Sequence, residues 1–243
     1  VGDFHPAPPV ATFSASFLAG FEVLYATANT VIVGPGSCRN SGNTFDITLA
    51  GSVTPSLAVS GVNGLDTGVE AASTWYAVFV IADPTGANPT ASLFSTSSTL
   101  PVLPSGYGGF RRVGWVRNDA SSNIVQFQTT GKGTLRRTKY LNAESTRQIL
   151  TGGSAVVSTS VSASSHIPST SRMGIFHGRE NGTSSLIFMQ STAGSNLITI
   201  LGLGGNEIIT ELPTTSTQGI AYNHSGAGTE DADIWVLGYE ESI

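Results

Sequence analysis

Four histidines and two short runs of oxygen-bearing side chains are the groups in this sequence whose types fit chemistry. His5, His166, His177 and His224 stand far apart, so no pair has the short spacing that holds a metal or couples a base to a nucleophile. Ser164-Ser165-His166 sets hydroxyls beside an imidazole, but adjacent residues on a strand point to opposite faces. Asn63, Asp66 and Glu70 in VNGLDTGVE, and Glu230, Asp231 and Asp233 in SGAGTEDADI, offer oxygens that calcium accepts, without the spacing of an EF-hand loop. Both read as solvated turns. The expectation is no metal, no cofactor and no catalytic residue. No nucleophile elbow, HExxH helix, phosphate loop or dinucleotide fingerprint is present. No internal repeat suggests the long solenoid that a sugar-cleaving pair of carboxylates would need. The chain reads as a protein that is not an enzyme.

Bases and aromatics remain as binding groups. The formal net charge is −5, unevenly spread. Residues 1–110 carry one base against six acids, and residues 148–243 carry two against eight. Between them, residues 111–147 hold eight of the eleven bases against Asp119 and Glu144. Arg111, Arg112, Arg117, Arg136, Arg137 and Lys139 in this belt are candidates for contact with another subunit, or for pairing within the chain. The acidic total and the lack of a recognition motif exclude nucleic acid. Tyr107 and Phe110 in the PSGYGGF loop, and Tyr222 beside a Gly-rich turn, are candidates for stacking on a ligand such as a sugar. Arg111, Val113 and Trp115 alternate along one strand, which makes Arg111 the candidate partner of the indole.

These groups must be placed by strands. Residues 74–82 form an unbroken apolar, β-prone run, which has to be covered on both faces and so is central to a sheet. Asp83-Pro84-Thr85-Gly86 supplies a turn, 91–96 a second strand and 110–117 a third. Short alternating segments recur before and after this block, Asn181-Gly182 signals a hairpin, and 233–239 reads as an internal strand. No helix of three or more turns is credible. The expected fold is all-β, with two tandem antiparallel β-sandwich (jelly-roll-like) units. Their bounds are an extended proline-rich arm at 1–12, a first sandwich at 13–131, a basic connector at 132–154 and a second sandwich at 155–243. Charged residues are only 11% of the chain, so Ser, Thr, Asn and Gly must form the polar surface, and such a surface loses little on packing against neighbours. Cys38 is alone and forms no intrachain disulfide, and no apolar run is long enough to span a membrane.

The block WYAVFVIAD, ASLFSTSS and LPSGY…RRVGWVR, with PGSCRNSGNTFDITL at 35–49 and VNGLDTG at 62–68, resembles a pattern in bacteriophage virion structural proteins. These are the β-sandwich modules of tail fibres, appendages and head decorations. The resemblance covers roughly the first 130 residues and does not separate tail from capsid. It brings no catalytic residues. It implies a non-enzymatic structural component of a tailed phage, located in the virion, that assembles with itself, as a trimer in the best reading, and with other virion proteins. The alternative is a host receptor or carbohydrate-binding module in which the second sandwich recognises a host-surface glycan.

Overall fold

The computed structural model describes residues 13–131, 133–183, 185–189, 196–200, 205–226 and 230–243, with backbone alone for 189 and 196–200. The expected arm at 1–12 lies outside them. The described chain is all-β, and its single helical turn is a 3-10 turn at Glu144–Arg147. In chain order the first strands are β1 (Leu18–Gly20), β2 (Val23–Thr27), β3 (Thr30–Val33), β4 (Gly36–Arg39) and β5 (Asp46–Leu49). β6 (Trp75–Ala82), β7 (Ala91–Ser95) and β8 (Gly109–Arg117) follow. β1, β4 and β5 form one antiparallel sheet, β2 and β3 a hairpin, and β6 lies between β7 and β8. As its composition requires, β6 is covered on both faces. Tyr76, Val78, Val80 and Ala82 enter one apolar cluster, while Ala77, Phe79 and Ile81 enter a second with Leu93 and Trp115. Gly109 opens β8 where the Phe45 ring lies, since a Cβ there would come within 2.2 Å of it.

From residue 127 the strands are β9 (Phe127–Thr130), β10 (Leu135–Tyr140), β11 (Gln148–Gly153), β12 (Thr159–Ser162) and β13 (Met173–Glu180). β14 (Leu186–Met189), β15 (Asn196–Ile200), β16 (Asn206–Pro213), β17 (Gly219–His224) and β18 (Ala232–Ser242) complete them. β18 is internal, as its sequence predicts. β13 pairs along one edge of it, and β10 and β11 pair along successive lengths of the other. The second sheet runs β12-β17-β14-β15. Two expectations fail here. The basic segment 132–154 is no mere connector, because it supplies β10 and β11 to the main sheet. Its alternation is hidden in polar residues: Arg136, Thr138 and Tyr140 face inward, while Leu135 and Lys139 face out. Nor does Asn181-Gly182 close a hairpin. β13 pairs with β16 and β18, and β14 with β15 and β17, so this turn hands the chain from one sheet to the other.

Among the described residues every strand pairing stays within 18–117 or within 127–242, so the backbone ladders divide where the sequence changes character. Side chains do not follow that division. One buried apolar cluster runs from Leu18 and Tyr76 through Tyr140 to Phe176 and Tyr239. Aromatic and arginine side chains from β6 and β8 stitch the seam. Trp75 Nε1 donates to the Ser164 carbonyl at 3.0 Å, and Arg117 Nε to the Ser165 carbonyl at 2.6 Å. Glu241, with 1% of its side chain exposed, accepts from Arg112 at 2.6 Å and from the Thr170 hydroxyl at 2.9 Å. Trp115 Nε1 donates to that same Thr170 oxygen at 2.9 Å.

This seam makes the two halves one folding unit, so urea unfolding followed by tryptophan fluorescence and by far-UV circular dichroism is expected to give one coincident transition. Arg112→Met leaves the Glu241 carboxylate buried with only Thr170 and is expected to cost about 3 kcal/mol. Adding Glu241→Gln should recover a good part of it. Two separated transitions in the wild-type chain would show that the seam is not cooperative.

Candidate functional site

β13 and β17 sit in the two facing sheets of the second half, and each follows strand alternation with one exception. Phe176 on β13 and Ile220 and Tyr222 on β17 point into the apolar interior. The next inward positions at the ends of these strands are Glu180 and His224, both fully buried. His224 Nε2 lies 2.8 Å from Glu180 Oε2. Nδ1 of the same ring, 3.1 Å from the Ala155 carbonyl, must carry a proton to donate there. Glu180 Oε1 accepts from the Gly182 amide at 2.6 Å. Glu230, just before β18, brings a second carboxylate to within 3.8 Å of His224 Nε2, with 3% of its side chain exposed. Neither Glu230 oxygen has a hydrogen-bond partner among the described residues. One ligand atom from each of the three residues lies within 4.8 Å of the others. A buried imidazole facing two buried carboxylates can hold a proton or a divalent cation.

Sequence distance concealed this group, since 44 residues separate Glu180 from His224. A usable signal was nonetheless there for two of the three: Glu180 and His224 fall on the inward register of their strands. Of the acidic run at 230–233, only Glu230 joins the cluster. Asp233 instead accepts from Gln148 Nε2 and the Gly152 amide and pairs with Arg179 at 2.6 Å. The run at 63–70 is closed on itself and its neighbours: Asn63 Oδ1 accepts from the Ser92 amide, Asp66 from the Thr67 and Val102 amides, and Glu70 from Asn118. His177 meets two carboxylates of its own. Its ring lies 2.6 Å from Glu144 and 3.5 Å from Glu207, in an open hollow, and stacks on Trp235 at 5.0 Å. His5 lies outside the described residues.

The basic belt is turned inward. Arg111 donates to the Ile243 carbonyl at 3.1 Å, Arg136 to the Gly20 carbonyl, and Arg137 pairs with Glu211. Together with Arg112 and Arg117 at the seam, these side chains are bonded within the chain, and Lys139 alone of the six contact candidates is exposed. The arginine over Trp115 is Arg112, at 5.6 Å, and not Arg111. Val78 pairs with Gly114 and Phe79 with Arg112, so Val113 is an extra bulged residue and the alternation slips by one. The stacking candidates are not gathered on one surface. Tyr222 is a core residue, 4% exposed, in edge contact with His224. Tyr107 donates its hydroxyl to the Pro89 carbonyl at 3.0 Å, and Phe110 meets Phe79 edge-on. Burial pushes the Cys38 thiol up to about 12, so it is inert at neutral pH.

A cleft of about 390 Å³ lies beside the seam, lined by Arg117, Asn118, Asp119, Asn142, Ser165 and His166. Ser164, Ser165 and His166 form a turn there and not a strand. Burial, and then the Arg117 and Arg147 guanidinium groups, lower His166 from its usual 6.5 to about 4. The unfolded chain therefore binds more protons between those values, and this group's contribution, complete above pH 6.5, is lost as pH falls toward 4. His166→Asn is expected to flatten the decline in stability between pH 6.5 and 4.5 by on the order of 2 kcal/mol, read from urea unfolding at each pH. An unchanged decline would place the acid sensitivity elsewhere.

No known protein family matches the chain, and no curated protein matches it. Among solved structures, similarity is found to the T=1 particles derived from infectious bursal virus, at 12% identity and a TM-score of 0.14, over 95% of this chain and 66% of that one. A second is the T13 IBDV viral particle, at 13% identity and a TM-score of 0.13, over 92% of this chain and 67% of that one. Likeness at that level carries no weight for fold or role.

Proposed function

We propose that this chain is a non-enzymatic structural subunit of a virion, a fibre, appendage or capsid-decoration component of a tailed phage, which acts by assembling with copies of itself. The observation that carries the reading is how the few ionic groups are used. The arginines are engaged inside the chain, through the seam and through pairs such as Arg39–Asp46 and Arg179–Asp233. The outer face is therefore low in charge and shows large apolar side chains: Leu100 is 69% exposed, Val69 83% and Val102 58%. They belong to neighbouring loops, tied together where the Val102 amide donates to Asp66 at 3.0 Å. Apolar loop clusters of this kind suit contact with another protein surface. An all-β body, with no long helix among the described residues, supplies the scaffold such a part requires. The carbohydrate-binding alternative loses its anchor in the second half, because Tyr222 is buried.

Size-exclusion chromatography with light scattering is expected to give a homo-oligomer, with a trimer the leading expectation. Leu100→Asp with Val102→Asp, on exposed loops that leave the core intact, should shift the chain toward the 25.0 kDa monomer. A wild-type chain that stays monomeric at high micromolar concentration would sink the reading.

A further inference from the structure

We infer that Glu180, His224 and Glu230 form a structural site for one divalent transition metal of the zinc type, which clamps the end of β13 in one sheet to the end of β17 in the other. Charge is the first argument. Because Nδ1 donates to Ala155, the ring can face the carboxylates only as an imidazolium or with the Nε2 lone pair free. As an imidazolium it balances one carboxylate and leaves the other charged, unbonded and buried. A divalent ion bound by the neutral ring and both carboxylates brings the group to zero net charge. It also gives Glu230, which has no hydrogen-bond partner among the described residues, something to bind.

Geometry is the second argument. Metal bonds of the zinc type place tetrahedral ligand atoms about 3.3 Å apart. The observed separations from Nε2, 2.8 Å to Glu180 and 3.8 Å to Glu230, bracket that value, and all three ligand atoms lie within 4.8 Å of one another, so side-chain shifts alone bring three ligands around one ion. The carbonyl that holds Nδ1 acts as the outer partner that fixes a ligating imidazole in the right tautomer. A single imidazole nitrogen with two buried carboxylates favours a transition ion. Calcium needs six to eight oxygens and magnesium keeps its waters. The inference does not rest on the assembly reading, and its test is independent of oligomeric state.

The untagged full chain, stripped with a chelator, is titrated with zinc chloride by calorimetry and followed by thermal unfolding. One equivalent is expected to bind and to raise Tm by about 5 °C or more once zinc is ~100-fold above its dissociation constant, with no such response to calcium or magnesium. Glu230→Gln should weaken zinc about 100-fold and abolish the shift. Glu207→Gln, at the open His177 hollow, should leave both unchanged. Should Glu230→Gln fail to fold, wild-type protein loaded with cobalt(II) still decides, since the three side chains, with a water or the second oxygen of one carboxylate as fourth ligand, must give the intense visible bands of a four-coordinate ion. No saturable zinc, zinc lost in Glu207→Gln, or no such cobalt bands would overturn the inference. So would a metal-independent gain in stability in Glu230→Gln with no zinc bound by wild type, because a buried proton would then be the balancing charge.

Discussion

A strand that is apolar on both faces has to be roofed twice, and β6 imposes that condition on the whole chain. Its Tyr76, Val78 and Val80 face belongs to the cluster that continues into the second half, while its Phe79 and Ile81 face is covered by Leu93, Trp115 and the flanking Leu103 and Tyr107. A small two-sheet unit would satisfy one of these faces with its own partner sheet. Here the first requirement is met in common by residues as distant as Leu18 and Tyr239. The division of strand pairing near residue 120 therefore coexists with a shared core. Trp75 shows both at once, lying edge-on to Trp115 at 6.1 Å and to Tyr239 at 6.0 Å.

Sharing a core places polar groups at its rim, and arginine suits that position. A guanidinium can lie on an aromatic face and still reach a carbonyl or carboxylate beyond it. Arg112 does so between Trp115 and Glu241, Arg117 between Trp75 and Ser165, and Arg179 between Trp235 and Asp233. The basic belt at 111–147 is thus a consequence of folding two ladder systems against each other. Lysine, a compact and strongly hydrated charge, would serve less well in the same places, and the belt contains mainly arginine.

This accounts for what the sequence could and could not disclose. Apolar alternation and turn residues were enough to place β3, β6, β7 and β8 almost to the residue and to mark the middle of β18, whose last three residues were missed, because each buries apolar side chains. β10 and β11 were not legible. Their inward positions hold Arg136 and Thr138, or a run with two register shifts against β18, and a buried arginine looks polar in sequence whatever its solvent exposure. The Arg112–Trp115 contact was misassigned by one residue because a bulge adds a residue without any mark in composition. The Asn-Gly signal at 181–182 failed for a different reason. The chain only bends at 182–183, neither Asn181 nor Gly182 takes the positive φ of a hairpin turn, and the dipeptide says nothing about which sheet receives the next strand.

The Glu180–His224–Glu230 group follows from the same scarcity of charge. In a surface rich in acids and bases, an imidazole between carboxylates is one pair among many. Here most ionic groups are matched, down to Asp233, which accepts from Gln148, Gly152 and Arg179. Against that background the Glu230 carboxylate, 3% exposed and with no hydrogen-bond partner among the described residues, stands apart. Its position matters as much as its charge. β13 and β14 are joined by a crossing between sheets, with no ladder between them, while Glu180 and His224 each keep ladder partners within their own sheet, Asn206 and Ala232 for the one and Leu186 for the other. The 2.8 Å contact from Glu180 to His224 joins two sheets that no strand ladder among the described residues connects.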